Sequence, residues 1–196
     1  MDESFILPDG TRLAIRPILS RDAPGLHALL GRLSLHTICN RFLVVRRALR
    51  DEEAERLATV DYRNRMALVA LEGPAAAQAV AASGGEGEGV AAREPRTAVR
   101  ADADKIVAVA RYDVEPGKLW TAEAALVVED RLQGHGLGTY LCRRLVNHAR
   151  MNGVSIFTAS VYASNHRMLR MIQRSGYPVS RRSRCGVVEL SVSLDL

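Results

Sequence analysis

Glu129-Asp130-Arg131-Leu132-Gln133-Gly134-His135-Gly136-Leu137-Gly138-Thr139 sets three alternating glycines between an apolar strand and the first turn of an amphipathic helix. Glycine admits φ > 0 and lets backbone approach a ligand with no Cβ in the way. A helix start leaves unpaired N–H groups and a partial positive charge, and together these bind phosphate. Gln133, Gly134, His135, Gly136, Leu137, Gly138 and Thr139 therefore read as a diphosphate cradle. A tight turn with no ligand is the alternative reading of this pattern alone. Two other phosphate loops are excluded. A P-loop needs a lysine after its last glycine, where this chain has Thr139, and a dinucleotide fingerprint is spaced G-x-G-x-x-G.

The flanks of the loop set the fold class. Before it, Trp120 to Val128 is an apolar strand broken by one acid, Glu123, and Lys105 to Val114 is its antiparallel neighbour across a Glu115-Pro116-Gly117-Lys118 turn. After it comes a helix to about Met151, with Leu137, Leu141, Leu145 and Ala149 on one stripe and Gly153 at its end. Ser155–Val161 reads as a strand, Asn165–Ser175 as a helix and Val187–Leu194 as a last strand. Further out, a hairpin opens the chain through Pro8-Asp9-Gly10-Thr11. Ser20 or Asp22 caps a helix carrying Leu26, Leu29, Leu30 and Leu33, and Asp51-Glu52-Glu53 opens another. Met66 to Leu71 is a buried strand. Strands first, then strand–helix–strand–helix–strand, predict an α+β fold on a mixed sheet.

Length and composition bound the rest. At 196 residues one domain over 1–196 is the expectation, with 47% hydrophobic and 25% charged residues as in a soluble globular protein. Residues 73–104 are half Ala and Gly, with no Leu, Ile, Phe, Tyr or Trp, and read as a flexible insertion or, at 75–82, a short helix. No apolar run reaches about 18 residues and the acidic N-terminus is no signal peptide, so no membrane partner is expected. Cys39, Cys142 and Cys185 are far apart and odd in number, which excludes a disulfide framework and suits a cytoplasmic protein. The histidines lack ligand spacing, so no metal is expected. Net charge is +5, with a cluster at Arg181, Arg182 and Arg184. Few aromatics and no nucleic-acid motif accompany it, so nucleic acid is not the expected partner. Monomer and homodimer stay open.

Gln133-Gly134-His135-Gly136-Leu137-Gly138 resembles the Q/R-x-x-G-x-G/A acyl-CoA motif of the GCN5-related N-acetyltransferase (GNAT) superfamily. Gly10 to Ile18, Arg41-Phe42, Val60-Asp61-Tyr62 and Ala67 to Ala70 are similar to bacterial protein-lysine acetyltransferases of the Pat type. The resemblance covers most of the chain outside the insertion. It implies a mostly antiparallel mixed sheet with helices on both faces, splayed between its fourth and fifth strands around an acyl-CoA cleft. It implies acetyl-CoA as co-substrate and a protein lysine as acceptor; a small amine such as a polyamine, or a silent acyl-CoA-binding module, are the alternatives.

Transfer to a lysine needs a base, because an amine of pKa about 10.4 is almost fully protonated at neutral pH. Glu123 sits where Pat-like enzymes carry theirs; a solvent-facing strand residue is the other reading. The resemblance also implies backbone donors at Val127 and Val128, exposed by a bulge, and a pantetheine contact from Asn165, which equally caps a helix. Relatives often place a tyrosine acid seven residues after that Asn, where this chain has Ile172. Tyr177 is off that position and reads as a core aromatic, and a thiolate can leave unassisted. Arg131, Arg143 and Arg144 flank the loop as phosphate candidates, Arg41 and Phe42 border the acceptor side by resemblance, and Cys142 reads as an inert thiol.

Overall fold

The computed structural model describes residues 3–44, 48–73 and 104–195. Its strands are β1 (Glu3–Ile6), β2 (Arg12–Pro17), β3 (Arg65–Glu72), β4 (Lys105–Glu115), β5 (Lys118–Val128), β6 (Ile156–Tyr162), β7 (Val179–Arg184) and β8 (Val187–Ser193). The helices among these residues are α1 (Ala23–Arg32), α2 (Leu35–Phe42), α3 (Asp51–Ala58), α4 (Leu137–Met151) and α5 (His166–Gln173). All eight strands share one sheet in the order β1-β2-β3-β4-β5-β6-β8-β7. Every neighbouring pair is antiparallel except β5–β6, which α4 connects. The fold is α+β, as expected.

Strand alternation assigns each helix to a face. On one face Ala122, Val128 and Phe157 pack under the α4 stripe of Leu137, Leu141, Leu145 and Ala149. Further along that face α5 lays Met168, Leu169 and Ile172 over Val161, Val188 and Leu190. On the other face Val69, Val109 and Val127 pack against Leu26, Leu29 and Leu30 of α1 and Ala54 and Ala58 of α3. There the β6–β8–β7 part of the sheet is polar and open, with Ser160, Glu189, Arg182 and Arg184 exposed.

The sheet is splayed at its one parallel pair. β5 and β6 are in register only over Thr121–Glu123 and Ile156–Thr158, so the C-terminal half of β5 has no β6 neighbour. Because β1 adds a strand in front, the splay falls between the fifth and sixth strands, not the fourth and fifth.

Four local expectations need correction. Asp22 sits at the α1 N-cap, yet its carboxylate binds Arg16 and the Leu19 N–H instead of capping the helix. The second helix, α2, was not read from the sequence, although Leu35, Ile38, Cys39 and Phe42 recur at helical spacing, because eight residues give only about two turns of pattern; the Ser34 hydroxyl caps it by accepting from the Thr37 N–H at 3.2 Å. β7 reads Val-Ser-Arg-Arg-Ser-Arg, with no apolar alternation, and is a strand only because β8 pairs along its whole length. β5 begins at Lys118, two residues before the expected Trp120. Apart from Gly73 and Asp104, the 73–104 segment lies outside the described residues.

Candidate active site

Gly134 and Gly136 both take φ +87°, a conformation that L side chains rarely adopt. A Cβ would meet nothing within 4 Å at Gly134 and only the Phe5 ring, at 3.8 Å, at Gly136. Conformation, not crowding, therefore demands glycine at these two sites. At Gly138 the reverse holds: a Cβ would come within 3.1 Å of the Leu126 Cδ2, so this glycine lets α4 lie close on β5. The backbone N–H groups of residues 134 to 139 donate to no group among the described residues. The first intrahelical bond runs from the Tyr140 N–H to the Gly136 carbonyl at 3.0 Å. A run of unpaired amides at the positive end of a 15-residue helix fits the diphosphate of a CoA thioester.

The loop is braced from several elements. The Gln133 side chain does not point at the cradle: its Nε2 donates to the Thr37 Oγ1 (3.1 Å) and the Val128 carbonyl (2.9 Å). Its Oε1 accepts from Arg167 of α5 at 2.7 Å, so Gln133 ties α2, β5 and α5 together. Asp130 accepts from the Ser34 N–H (2.9 Å), the Ser34 hydroxyl (2.6 Å) and the Thr37 hydroxyl (2.7 Å), which fixes the start of α2 to the loop. Arg131 holds Glu72 and Glu129, and Arg144 holds Glu3, so neither is free for phosphate. Arg143 is exposed on α4. Glu129 is buried; burial pushes its carboxyl up, but Arg131 and Arg32 outweigh that and hold it below the usual range.

Phase in the β4–β5 ladder decides which amides face the gap. The Glu129 N–H bonds the Val107 carbonyl at 2.9 Å, and register continues unbroken from Val128 to Ala122. In an antiparallel ladder this makes Val127 a hydrogen-bonded partner of Val109 and turns Leu126 and Val128 the other way. No bulge interrupts β5 there; the β4–β5 irregularity lies at Val114/Glu115. The splay, not a bulge, leaves the Leu126 and Val128 N–H groups facing the gap, while the Val127 N–H is committed to β4. Leu126 escaped the sequence reading because ladder phase is not a local property.

Glu123 is exposed on the opposite side of β5 from α4 and has no partner among the described residues. Strand rise of about 3.3 Å per residue puts it roughly 10 Å along β5 from Leu126. It is level with Thr158 of β6, whose hydroxyl donates to Glu115 at 3.0 Å. Tyr162, a further residue the sequence did not single out, donates from its hydroxyl to the Leu43 carbonyl at 2.8 Å and so ties β6 to the end of α2 across the gap.

The other candidates take structural places. Asn165 caps α5, accepting from the Met168 N–H at 3.1 Å. Tyr177 is half-buried against the α4 core. His135 is exposed ahead of α4. Arg41 and Phe42 line a cavity of about 50 Å³ with Val127 and Arg111, and the Arg41 guanidinium lies over the Phe42 ring at 4.9 Å. Burial pushes the Cys142 thiol up to about 12. No trio of metal-ligating side chains gathers among the described residues. Nor is any helix there long and apolar enough to cross a membrane.

Comparison with known proteins agrees with this geometry. The sequence model of the acetyltransferase (GNAT) family matches residues 86–177. Among solved structures, the GNAT domain of PAT from S. lividans superposes with a TM-score of 0.74 at 24% identity, over 98% of this chain and 96% of that one. The cAMP-binding acyltransferase from Mycobacterium smegmatis gives 0.56 at 22% identity over 98% of this chain, which spans only 47% of that longer protein. The yncA protein of Salmonella typhimurium, solved with its cofactor acetyl-CoA, gives 0.62 at 17% identity over 94% and 95% of the two chains. Residues 86–177 thus carry the sequence pattern of the acetyltransferase (GNAT) family, and the fold of the S. lividans PAT GNAT domain extends over nearly the whole chain.

Proposed function

We propose that the amine this acetyltransferase acylates from acetyl-CoA is the side chain of a protein lysine, and that transfer is direct. Acetyl-CoA supplies the acetyl group as a thioester, whose thiol of pKa about 8.5 leaves as thiolate without an obligatory acid. In this reading the amides of residues 134 to 139 hold the diphosphate. The Leu126 and Val128 N–H groups, freed by the splay, donate along the acyl and pantetheine arm, where negative charge develops on the carbonyl oxygen. Glu123 takes the proton that the lysine nitrogen sheds as it bonds the acyl carbon and the C–S bond breaks. The 10 Å offset along the strand is spanned by the length of the glutamate and a water.

One observation carries the protein acceptor: Glu123 stands on an open face. Its row continues through Thr158, Ser191 and Ser180 to the edge of the sheet, as a polar surface that no helix among the described residues covers; α2 reaches β6 only beyond it, at Tyr162. The neighbouring cavity of about 50 Å³ is well below the few hundred Å³ usual for small-molecule sites. An open polar face suits a lysine presented on a folded surface. Pat-like residues of the sequence and the likeness to the S. lividans PAT domain support the same choice.

Labelled acetyl-CoA incubated with cell extract tests the acceptor: label is expected in protein, and label in small molecules alone would contradict the reading. Glu123→Gln should lower kcat/KM at neutral pH by about a hundredfold or more while leaving CoA affinity unchanged. The deficit should narrow as rising pH deprotonates the amine unaided; an unchanged rate removes Glu123 from the role.

A further inference from the structure

The chain's charge is unevenly placed. Residues 153–196 hold six arginines against Glu189 and Asp195, so +4 of the overall +5 sits there. Elsewhere Arg16, Arg32, Arg65, Arg111, Arg131 and Arg144 each hold a carboxylate. Arg181, Arg182 and Arg184 have no acidic partner among the described residues, although Arg182 stands beside Glu189. They lie on β7, the outermost strand, which is exposed at every residue.

Register sorts them by face. Arg181 is opposite Leu190, which is buried under α5. Arg182 and Arg184 therefore point to the other side, the open face that carries Glu123. Arg182 lies in the row next to that of Glu123, with Ser160 and Glu189, and Arg184 in the row after it, with Tyr162 and Val187. With strands about 4.8 Å apart and a rise of about 3.3 Å per residue, Arg182 lies about 16 Å and Arg184 about 20 Å from Glu123.

From this placement we infer that Arg182 and Arg184 dock an acidic patch of the acceptor protein, one whose carboxylates lie roughly 15–20 Å from the lysine being acetylated. The inference rests on the protein-lysine reading and adds a specificity to it. The phosphates of acetyl-CoA do not account for the two arginines, because the diphosphate cradle opens at the α4 N-terminus, beside the gap and three strands away. Nucleic acid fits less well. Neither β7 nor β8 offers an aromatic side chain for base stacking, and Glu189 within the patch repels a uniform polyanion. A protein surface of mixed charge meets Arg182, Arg184 and Glu189 together. Rim charges of this kind act on encounter and salt dependence more than on the chemical step.

Two synthetic peptides test the inference. Each carries one central lysine, with either glutamates or glutamines about five residues to both sides, a reach that matches the spacing. At low salt the wild-type enzyme should acetylate the glutamate peptide with kcat/KM about tenfold above the glutamine peptide, through KM, and high salt should erase the difference. In the Arg182→Glu/Arg184→Glu double variant the preference should vanish or reverse, while KM for acetyl-CoA reports an intact fold. Equal rates on the two peptides, or an undiminished preference in the variant, overturn the docking surface and leave the lysine reading standing. Acetylation of spermidine with neither peptide modified overturns the lysine reading, and the docking surface with it. Loss of DNA retention in the variant with an unchanged peptide preference overturns the inference in favour of a nucleic-acid surface.

Discussion

Gly134 and Gly136 show how two residues without side chains expose a run of backbone amides. Their shared φ of +87° turns consecutive amides outward just ahead of α4. A Cβ at this φ costs about 1–2 kcal/mol even where space is open, as it is at Gly134. Gly134→Ala/Gly136→Ala should therefore lower unfolding free energy by a few kcal/mol at most in urea titrations, while CoA affinity falls by about tenfold or more as the loop relaxes away from its bound form. Affinity unchanged beside a normal fold would mean that the amides hold nothing. The positive-φ turns at Gly134 and Gly136 and the exposed acid on β5 were legible. The glycine spacing pointed to the cradle, and Glu123 stood out as the one acid in an apolar strand. Gln133 was misread as a phosphate contact because its three partners, Thr37, Val128 and Arg167, are brought to it only by the fold. Leu126 was invisible because its direction depends on how β4 pairs.

Among the elements, α2 matters most beyond its size. It crosses the splay, tied to the loop by Asp130 at one end and to β6 by Tyr162 at the other. Burial pushes the Asp130 carboxyl up, but the hydrogen bonds from Ser34 and Thr37 outweigh it and keep the group ionised. Asp130→Ala removes three acceptor contacts and should destabilise the protein by about 1–3 kcal/mol in urea unfolding. KM for acetyl-CoA should rise with it, because Gln133 loses a fixed Thr37; an unchanged KM would separate α2 from the loop. Elements with a strong apolar pattern, the stripe of α4 and the continuous run of β3, were plain in the sequence. α2 was missed because its Leu35, Ile38, Cys39 and Phe42 stripe spans only about two turns, and β7 because a polar strand carries no period of its own and takes its form from what it pairs with.

Across the whole molecule, carboxylates inside the sheet make stability depend on pH. Burial raises Glu129 and Asp113, but their arginine partners outweigh it and hold both below the ordinary carboxylate range. A depressed folded-state pKa contributes stability that is present above the unfolded value and lost as pH falls through the folded one. Burial holds His148 below its ordinary value, so the unfolded chain also binds its proton first as pH drops below about 6.5. Both effects run the same way. Urea midpoints should fall as the solution is acidified from pH 7, first gently and then steeply below about pH 4.5. Glu129→Gln should start lower at pH 7 and show a shallower acid limb; a parallel curve would rule the Glu129 network out as a source of that limb. The mixed sheet and its order of elements were readable from the chain. The position of the splay was not, because it depends on where β6 stops pairing with β5.

Everything proposed for this chain rests on unpaired amides ahead of α4, beside a strand freed of its neighbour, holding the diphosphate of a CoA thioester. Isothermal titration of the purified protein with coenzyme A tests this most directly. One site per chain is expected, with a dissociation constant in the micromolar range, weakened by the double alanine change at Gly134 and Gly136. No heat of binding at millimolar coenzyme A, from protein shown to be folded, would contradict it.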